Sequence, residues 1–183
     1  MNICVFGSGI EHIDNSYKEV GYELGKLIGK SKHTLVFGAG SIGMMGAVAD
    51  GAASEGGYII GILPEKLNET STPSKHINEK IVTKTMHERK ILMEDMADVF
   101  VICPGGFGTF EEIAEVISLK RLDYFSIPII FLNTNDYYNK LFEMFEVCVS
   151  ENFASERILK LYEVARTPKE VFEMIDGVIK RGS

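Results

Sequence analysis

Val99-Phe100-Val101-Ile102-Cys103 runs straight into Pro104-Gly105-Gly106-Phe107-Gly108-Thr109-Phe110-Glu111-Glu112, and the reading of that junction decides the fold. The five apolar residues suit a strand buried on both faces of a parallel sheet. Ile113, Val116, Ile117 and Lys120 then follow with helical spacing. A glycine-rich turn between strand and helix lets a ligand approach the backbone. It also aims the free N–H groups of the helix start at that ligand, an arrangement that suits phosphate. Two carboxylates in the first helical turn point to chemistry beside the phosphate as well as capture of it.

Working outward, further apolar runs read as strands at Ile3–Phe6, Thr34–Phe37, Tyr58–Leu63, Lys80–Thr83, Asp98–Cys103 and Ile127–Leu132. Asn15–Gly29, Gly43–Ala53, Met86–Met96 and Glu111–Leu122 lie between them and are long enough for helices. This alternation implies an α/β fold: one doubly wound, Rossmann-like domain over residues 1–183, a mainly parallel sheet with helices on both faces. After Asn133 the pattern is helical, at Asp136–Ser150 and Thr167–Lys180, with a short turn near Ser155–Leu161 and no further clear strand. Glu65–Glu79 is polar and reads as a loop, either a cover for an active site or a plain surface connection.

Composition narrows the partners. The 183 residues are 45% apolar and 25% charged, ordinary for a globular protein, and the net charge is -7. That charge disfavours a nucleic acid polymer or an anionic membrane and leaves a small phosphorylated ligand, recognised locally. No apolar run approaches the ~20 residues that span a bilayer. Met1–Phe6 reads as a first strand and lacks the features of a signal peptide. Cys4, Cys103 and Cys148 are odd in number, widely spaced and in apolar surroundings. They read as reduced packing residues of a cytoplasmic protein. His12, His33, His76 and His87 show no metal-ligand spacing, and no metal site is expected.

In a sheet of this kind ligands bind beyond the carboxyl ends of the strands, near the switch in strand order. Three glycine turns fall there: Gly7-Ser8-Gly9, Gly38-Ala39-Gly40-Ser41-Ile42-Gly43 and Pro104–Thr109. The middle one matches G-x-G-x-x-G, the dinucleotide fingerprint. It sits on the second strand, however, and tight βα turns need glycine for steric reasons alone. A mononucleotide fits the set better.

Thr109-Phe110-Glu111-Glu112 also fits a capping box, in which Glu112 would only close the helix start. Capping and catalysis are both open for Glu112, and they are compatible. Glu115 lies one turn further along, either as an acidic wall toward the ligand or as a solvated residue. Thr85 and Glu88 form a second candidate capping box. Arg89 and Lys90 follow, where cations oppose the helix dipole. For Arg89 this favours a functional role, since a guanidinium suits phosphate or a ribose–carboxylate network. For Lys90 a solvated basic face is the simpler reading. Met44 and Met45 read as core packing, and Tyr137 and Tyr138 as anchors of the turn after Asn133.

Pro104–Glu112 resembles the P-G-G-x-G-T-x-x-E motif of the LOG family, the cytokinin riboside 5′-monophosphate phosphoribohydrolases often mislabelled lysine decarboxylases. Met86-His87-Glu88-Arg89-Lys90 resembles that family's M-H-x-R-K, and Val5–Ser8, Gly38–Gly46, Gly61–Pro64 and Leu132–Asn133 with Tyr137-Tyr138 agree in the same order. The resemblance implies a homodimeric Rossmann-like enzyme that hydrolyses the N-glycosidic bond of a nucleoside 5′-monophosphate, giving free base and ribose 5-phosphate. By motif position Arg89 and Glu112 would be the catalytic pair. Gly105, Gly106, Gly108 and Thr109, with Ser8 and Gly40, would hold phosphate and ribose, and Lys90 and Glu115 would support them. No metal or organic cofactor is implied. Ser118-Leu119-Lys120-Arg121-Leu122-Asp123 departs from the family's Thr-Trp-x-Gln-Leu-Gly, which touches the base pocket or dimer contact and leaves Arg89 and Glu112 in place. The rival reading is a non-catalytic nucleotide or phosphorylated-cofactor binding protein on the same fold. Lysine decarboxylation, which needs pyridoxal phosphate on a lysine, ranks third.

Overall fold

The computed structural model describes residues 1–182, and side chains as far as residue 178. Ser183, the last residue of the expected domain, lies outside the described residues. The elements alternate as the apolar runs require. They are β1 (Asn2–Phe6), α1 (Asn15–Lys30), β2 (Thr34–Phe37), α2 (Gly43–Ser54), β3 (Tyr58–Pro64), α3 (Glu65–Thr70), β4 (Glu79–Thr83) and α4 (Met86–Met96). Then come β5 (Val99–Ile102), α5 (Phe107–Arg121), β6 (Ile129–Leu132), α6 (Asn139–Ser150), β7 (Glu163–Ala165) and α7 (Pro168–Gly182), with short 3-10 turns at Thr134–Asp136 and Glu156–Lys160.

The seven strands form one parallel sheet in the order β4-β3-β2-β1-β5-β6-β7. The chain builds outward from β1 through β4, then crosses back through α4 to lay β5 on the other side of β1. The switch in strand order therefore falls between β1 and β5, where Cys4 is in register with Phe100 and Phe6 with Ile102. Such a switch leaves a crevice at the strand ends, because the two flanking connections diverge to opposite faces.

Alternation along each strand feeds two cores. On one face Ile3, Val5, Leu35, Phe37, Val99 and Val101 pack against Leu24 and Ile28 of α1, Met44 and Val48 of α2, and Val171 and Ile175 of α7. On the other, Cys4, Phe6, Val36, Ile62, Phe100, Ile102 and Phe131 meet Met93 of α4, Ile113 and Val116 of α5, and Tyr138. Burial on both faces is why the central strands are unbroken apolar runs. Cys4 and Cys103 are free and buried, and Cys148 is free and half-buried, in keeping with a packing role.

Three local expectations are corrected. The segment after Asn133 does contain a strand: β7 is only three residues long and pairs through Ile130↔Glu163 to Leu132↔Ala165. The polar stretch Glu65–Glu79 begins with the six-residue helix α3, not a loop. Its remainder is tied down: Ser74 N–H donates to Ala39 O at 2.9 Å, Ser41 Oγ to Thr72 O at 2.6 Å, and Gly40 bridges to Pro73. Finally, α5 starts at Phe107, four residues before the expected Glu111. No helix among the described residues is long and apolar enough to cross a membrane.

Candidate active site

The site grows out of the β5–α5 junction. Gly106 is the N-cap of α5, in extended geometry, and Phe110 N–H makes the first helical bond to Gly106 O at 2.9 Å. The N–H groups of Phe107, Gly108 and Thr109 therefore face out of the helix end without intrahelical acceptors. A Cβ at Gly106 or Gly108 would meet nothing within 4 Å, so this surface is open to an incoming group. Thr109 sits inside the first turn, 4% exposed, with its side chain against Gly105. The capping box expected at Thr109–Glu112 is thus not formed. Once the helix begins at Phe107, Thr109 is no longer a cap, and Glu112 is free to turn elsewhere.

The other two glycine turns are stitched to this one. Ser8 N–H donates to Pro104 O at 3.1 Å, its Oγ accepts from Ile10 N–H at 3.1 Å, and its carbonyl accepts from Met45 N–H at 3.1 Å. The third glycine of the G-x-G-x-x-G match, Gly43, has φ +65°, and a Cβ there would lie 2.5 Å from Ile10 O. Sterics alone explain that glycine. From the far side, Tyr137 Oη donates to Gly105 O and Tyr138 Oη to Cys103 O, both at 2.7 Å, and Asn133 Oδ1 accepts from Tyr138 N–H at 2.7 Å. The tyrosines do anchor their own turn, and they also brace the β5–α5 turn.

Arg89 and Glu112, 23 residues apart, meet at the strand-order switch. Thr85 caps α4, accepting from Glu88 N–H at 3.1 Å, while Glu88 Oε2 accepts from Lys84 N–H at 2.9 Å. Arg89, one turn in, reaches back over the ends of β2 and β3. Its Nε–H donates to Ile62 O at 3.1 Å and its Nη1–H to Glu112 Oε1 at 3.2 Å. Its Nη2 lies against Gly38, where a side chain of any size would displace it. Arg89 is 8% exposed and Glu112 9%. Burial pushes the Glu112 carboxyl up to about 6, and Arg89 only partly opposes the shift. A carboxylate in this state ionises near neutral pH yet remains short of compensating positive charge.

Lys90 is also buried, against expectation. Its Nζ lies 2.6 Å from Glu111 Oε1 and 2.8 Å from Glu115 Oε2. Burial alone would lower its pKa, but the hydrogen bonds to Glu111 and Glu115 outweigh that and raise it. Glu115 is half-buried, and its carboxylate is held by Lys90 across the α4–α5 contact. Beyond it, burial and then the Glu115 charge push Glu94 up to about 7. The solvated reading failed for Lys90 because the spacing of α4 alone does not reveal that the acidic turn of α5 lies opposite. Gly40, also expected in the site, borders a cavity of about 470 Å³ that shares Gly38 with the packing surface of Arg89. Met45, read from sequence as core, forms part of the same cavity wall. Among the described residues no cluster of His, Cys, Asp and Glu is placed to hold a metal ion.

Against this geometry the comparisons with known proteins can be set. Residues 45–175 match the family model described as "Possible lysine decarboxylase". A cytokinin riboside 5′-monophosphate phosphoribohydrolase from Oryza sativa subsp. japonica is 34% identical over 92% of this chain and 70% of its own length. One from Arabidopsis thaliana is 33% identical over 95% and 81%. Among solved structures, the Moco carrier protein from Chlamydomonas reinhardtii superposes with a TM-score of 0.74 at 25% identity, covering 98% of both chains. The turn, the cation and the carboxylate that the fold brings together are thus embedded in a sequence similar to these relatives over at least 92% of this chain, and the chain belongs to the LOG-type "Possible lysine decarboxylase" family.

Proposed function

We propose that the protein hydrolyses the N-glycosidic bond of a nucleoside 5′-monophosphate, AMP or an N6-modified AMP, to free base and ribose 5-phosphate. The observation that carries this reading is the buried Arg89–Glu112 pair, which lies between an open helix N-terminus and a cavity over the ends of β2 and β3. The names of the plant relatives support it.

The chemistry follows from the groups. The 5′-phosphate docks on the free N–H groups at Gly106–Thr109, where the helix dipole adds its attraction. Ser8 and Gly105 form the neighbouring backbone surface, held in place by Tyr137. Departure of the base builds positive charge on the ribose, as in other glycoside cleavages. Glu112 is the group suited to meet that charge. Its ionised form is under-compensated in the free protein, so a developing cation improves its surroundings more than it would for a solvated carboxylate. The same carboxylate can orient or deprotonate the attacking water. Arg89, fixed by Ile62 O and Glu112, holds the carboxylate in one rotamer and presents its remaining N–H groups to the ribose phosphate. Lys90 works at one remove, fixing α4 against α5 through Glu111 and Glu115.

The same reading places the enzyme in the cytoplasm as a homodimer, with exposed apolar residues such as Phe153, Tyr124 and Met144 available for a partner copy to cover. Phosphate dependence tests the reading. AMP should be cleaved and adenosine should not, and equal turnover of the two would refute the assigned role of the α5 N-terminus. A second reading, a carrier that binds a phosphorylated cofactor without turnover, is favoured by the similarity to the Moco carrier protein. It makes no use of a buried carboxylate held short of charge compensation, and tight nucleotide binding without product would support it.

A further inference from the structure

Arg89 makes one hydrogen bond that the proposed chemistry leaves unused. Its Nη1 donates to Glu112 Oε1 at 3.2 Å and also to Met86 Sδ at 3.4 Å. The rest of the guanidinium is otherwise engaged: Nε–H bonds Ile62 O, and Nη2 lies against Gly38. Nη1 is therefore the nitrogen at which a rival acceptor can act. Met86 opens α4 three residues before Arg89, a spacing that puts both side chains on one face of the helix. Its neighbours in that first turn are committed to the cap, Thr85 to Glu88 N–H and Glu88 to Lys84 N–H.

A thioether is a weak acceptor, so an N–H resting on it is readily surrendered to a substrate oxygen. Met86 is also 41% exposed, although the Arg89 and Glu112 beside it are buried. Met44 and Met93 are fully buried by contrast, and Met45 is half-buried. A small oxidant therefore reaches Met86 without opening the site. Hydrogen peroxide would transfer one oxygen to Sδ. The O–O bond breaks, an S–O bond forms, the sulfur is oxidised by two electrons, and the second oxygen leaves as water with both protons. The product, methionine sulfoxide, is polar where the thioether was apolar. Its oxygen is a strong acceptor, and one carried on Sδ is within reach of the Arg89 Nη1–H. Bonds to an ionised donor are the stronger class, so this oxygen competes with both Glu112 and the substrate.

Resting on the reading of the site as a nucleotide hydrolase, we infer that Met86 is an oxidation site whose sulfoxide draws the Arg89 Nη1–H away from Glu112 and the substrate, and so slows the enzyme reversibly. A thiol-dependent sulfoxide reductase reverses the step: two thiols are oxidised to a disulfide, and the oxygen leaves as water. Met144, 54% exposed on α6, is a second accessible thioether and serves as the internal reference for oxidation.

The test treats the wild type and Met86→Leu with hydrogen peroxide, locates the sulfoxides by peptide mass spectrometry, and compares kcat/KM for AMP with each protein's own untreated value. The wild type should lose about tenfold in step with oxidation of Met86, the scale of one hydrogen bond to a charged group. Methionine sulfoxide reductase with dithiothreitol should restore it. Met86→Leu, oxidised at Met144 to the same extent, should retain its untreated rate. Met86→Gln, which carries a carbonyl oxygen on a side chain of similar length, should reproduce the loss without peroxide. A second readout does not depend on turnover. Arg89 holds the Glu112 midpoint down, so drawing it away should raise that midpoint above about 6 in the oxidised wild type and in Met86→Gln, as read by NMR of the carboxyl carbon. Equal losses in the wild type and Met86→Leu, or a Met86 sulfoxide with an unchanged rate and an unmoved Glu112 midpoint, overturn the inference and leave the hydrolase reading standing. Oxidation of Met144 without Met86 does the same. Absence of base release from the untreated wild type overturns the hydrolase reading, and this control of it as well.

Discussion

Replacing Glu112 with leucine while leaving Arg89 in place strands a guanidinium at 8% exposure with its carboxylate partner gone. The attraction that is lost can be sized. At the observed 3.2 Å and an effective dielectric of ~20, two unit charges attract by about 5 kcal/mol. That gain does not reach the fold as net stability, because burying the carboxylate costs more. Glu112 remains raised from 4.5 to about 6 with Arg89 beside it, which leaves its ionised form disfavoured by about 2 kcal/mol. The two single substitutions are therefore unequal. Arg89→Met leaves Glu112 able to escape by taking a proton, so its cost shrinks as pH falls. Glu112→Leu leaves Arg89 no such escape, since a guanidinium does not deprotonate, and should cost about 3–5 kcal/mol at pH 7, where Glu112 is ionised, and less at pH 5, where the parent carboxyl is itself largely protonated. The double variant removes both charges and should recover most of that loss, as buried pairs replaced by apolar residues commonly do. Urea unfolding at pH 5 and pH 7 measures all four proteins. Losses that add within ~0.5 kcal/mol would show that the residues do not interact and would refute the argument.

Further outcomes follow from the same geometry. Titration of the Glu112 side-chain carbon by NMR should give a midpoint near 6 in the free protein. Because the folded value lies above the ordinary one, Glu112 by itself should make the fold less stable as pH rises from about 4.5 to about 6, and a midpoint near 4.5 would contradict the burial argument. Lys90→Met should destabilise by about 1–3 kcal/mol, the scale for loss of hydrogen bonds to charged groups, because two carboxylates lose their donor. It should also push Glu94 above its value of about 7, since Lys90 now opposes that rise; an unmoved Glu94 titration would contradict the arrangement. Gly43→Ala should cost at least ~1–2 kcal/mol from the left-handed backbone, and more from the clash with Ile10 O, as measured by urea unfolding. A neutral result would remove the steric account of that glycine turn.

Much of this architecture is legible in the sequence for a physical reason. Strands buried on both faces leave long apolar runs, so β1, β2, β3 and β5 were found nearly to the residue, and the glycine turns at their ends mark the rim. The failures are equally physical. Glu163-Val164-Ala165 is too short a run to stand out from a helix-rich tail, and α3 is a single polar turn and a half fixed by its tertiary ties. Thr109-Phe110-Glu111-Glu112 has the spacing of a capping box, but the helix begins at Phe107 and its N-cap is Gly106, which carries no side chain to advertise a cap. Arg89 and Glu112 could be nominated singly; that they touch depends on α4 crossing from one edge of the sheet to its centre. The burial of Lys90 and the exposure of Met45 to a cavity depend on the same crossing and packing, which the spacing within α4 or α2 does not record.

The central claim is that Glu112 acts on a glycosidic bond. Chromatography of AMP and N6-isopentenyl-AMP after incubation with the purified protein and with Glu112→Gln tests it most directly. The account predicts free base and ribose 5-phosphate in equal amounts from the wild type, and a rate lower by about 10²–10⁴-fold in the variant. Undiminished release by a folded Glu112→Gln protein would contradict it.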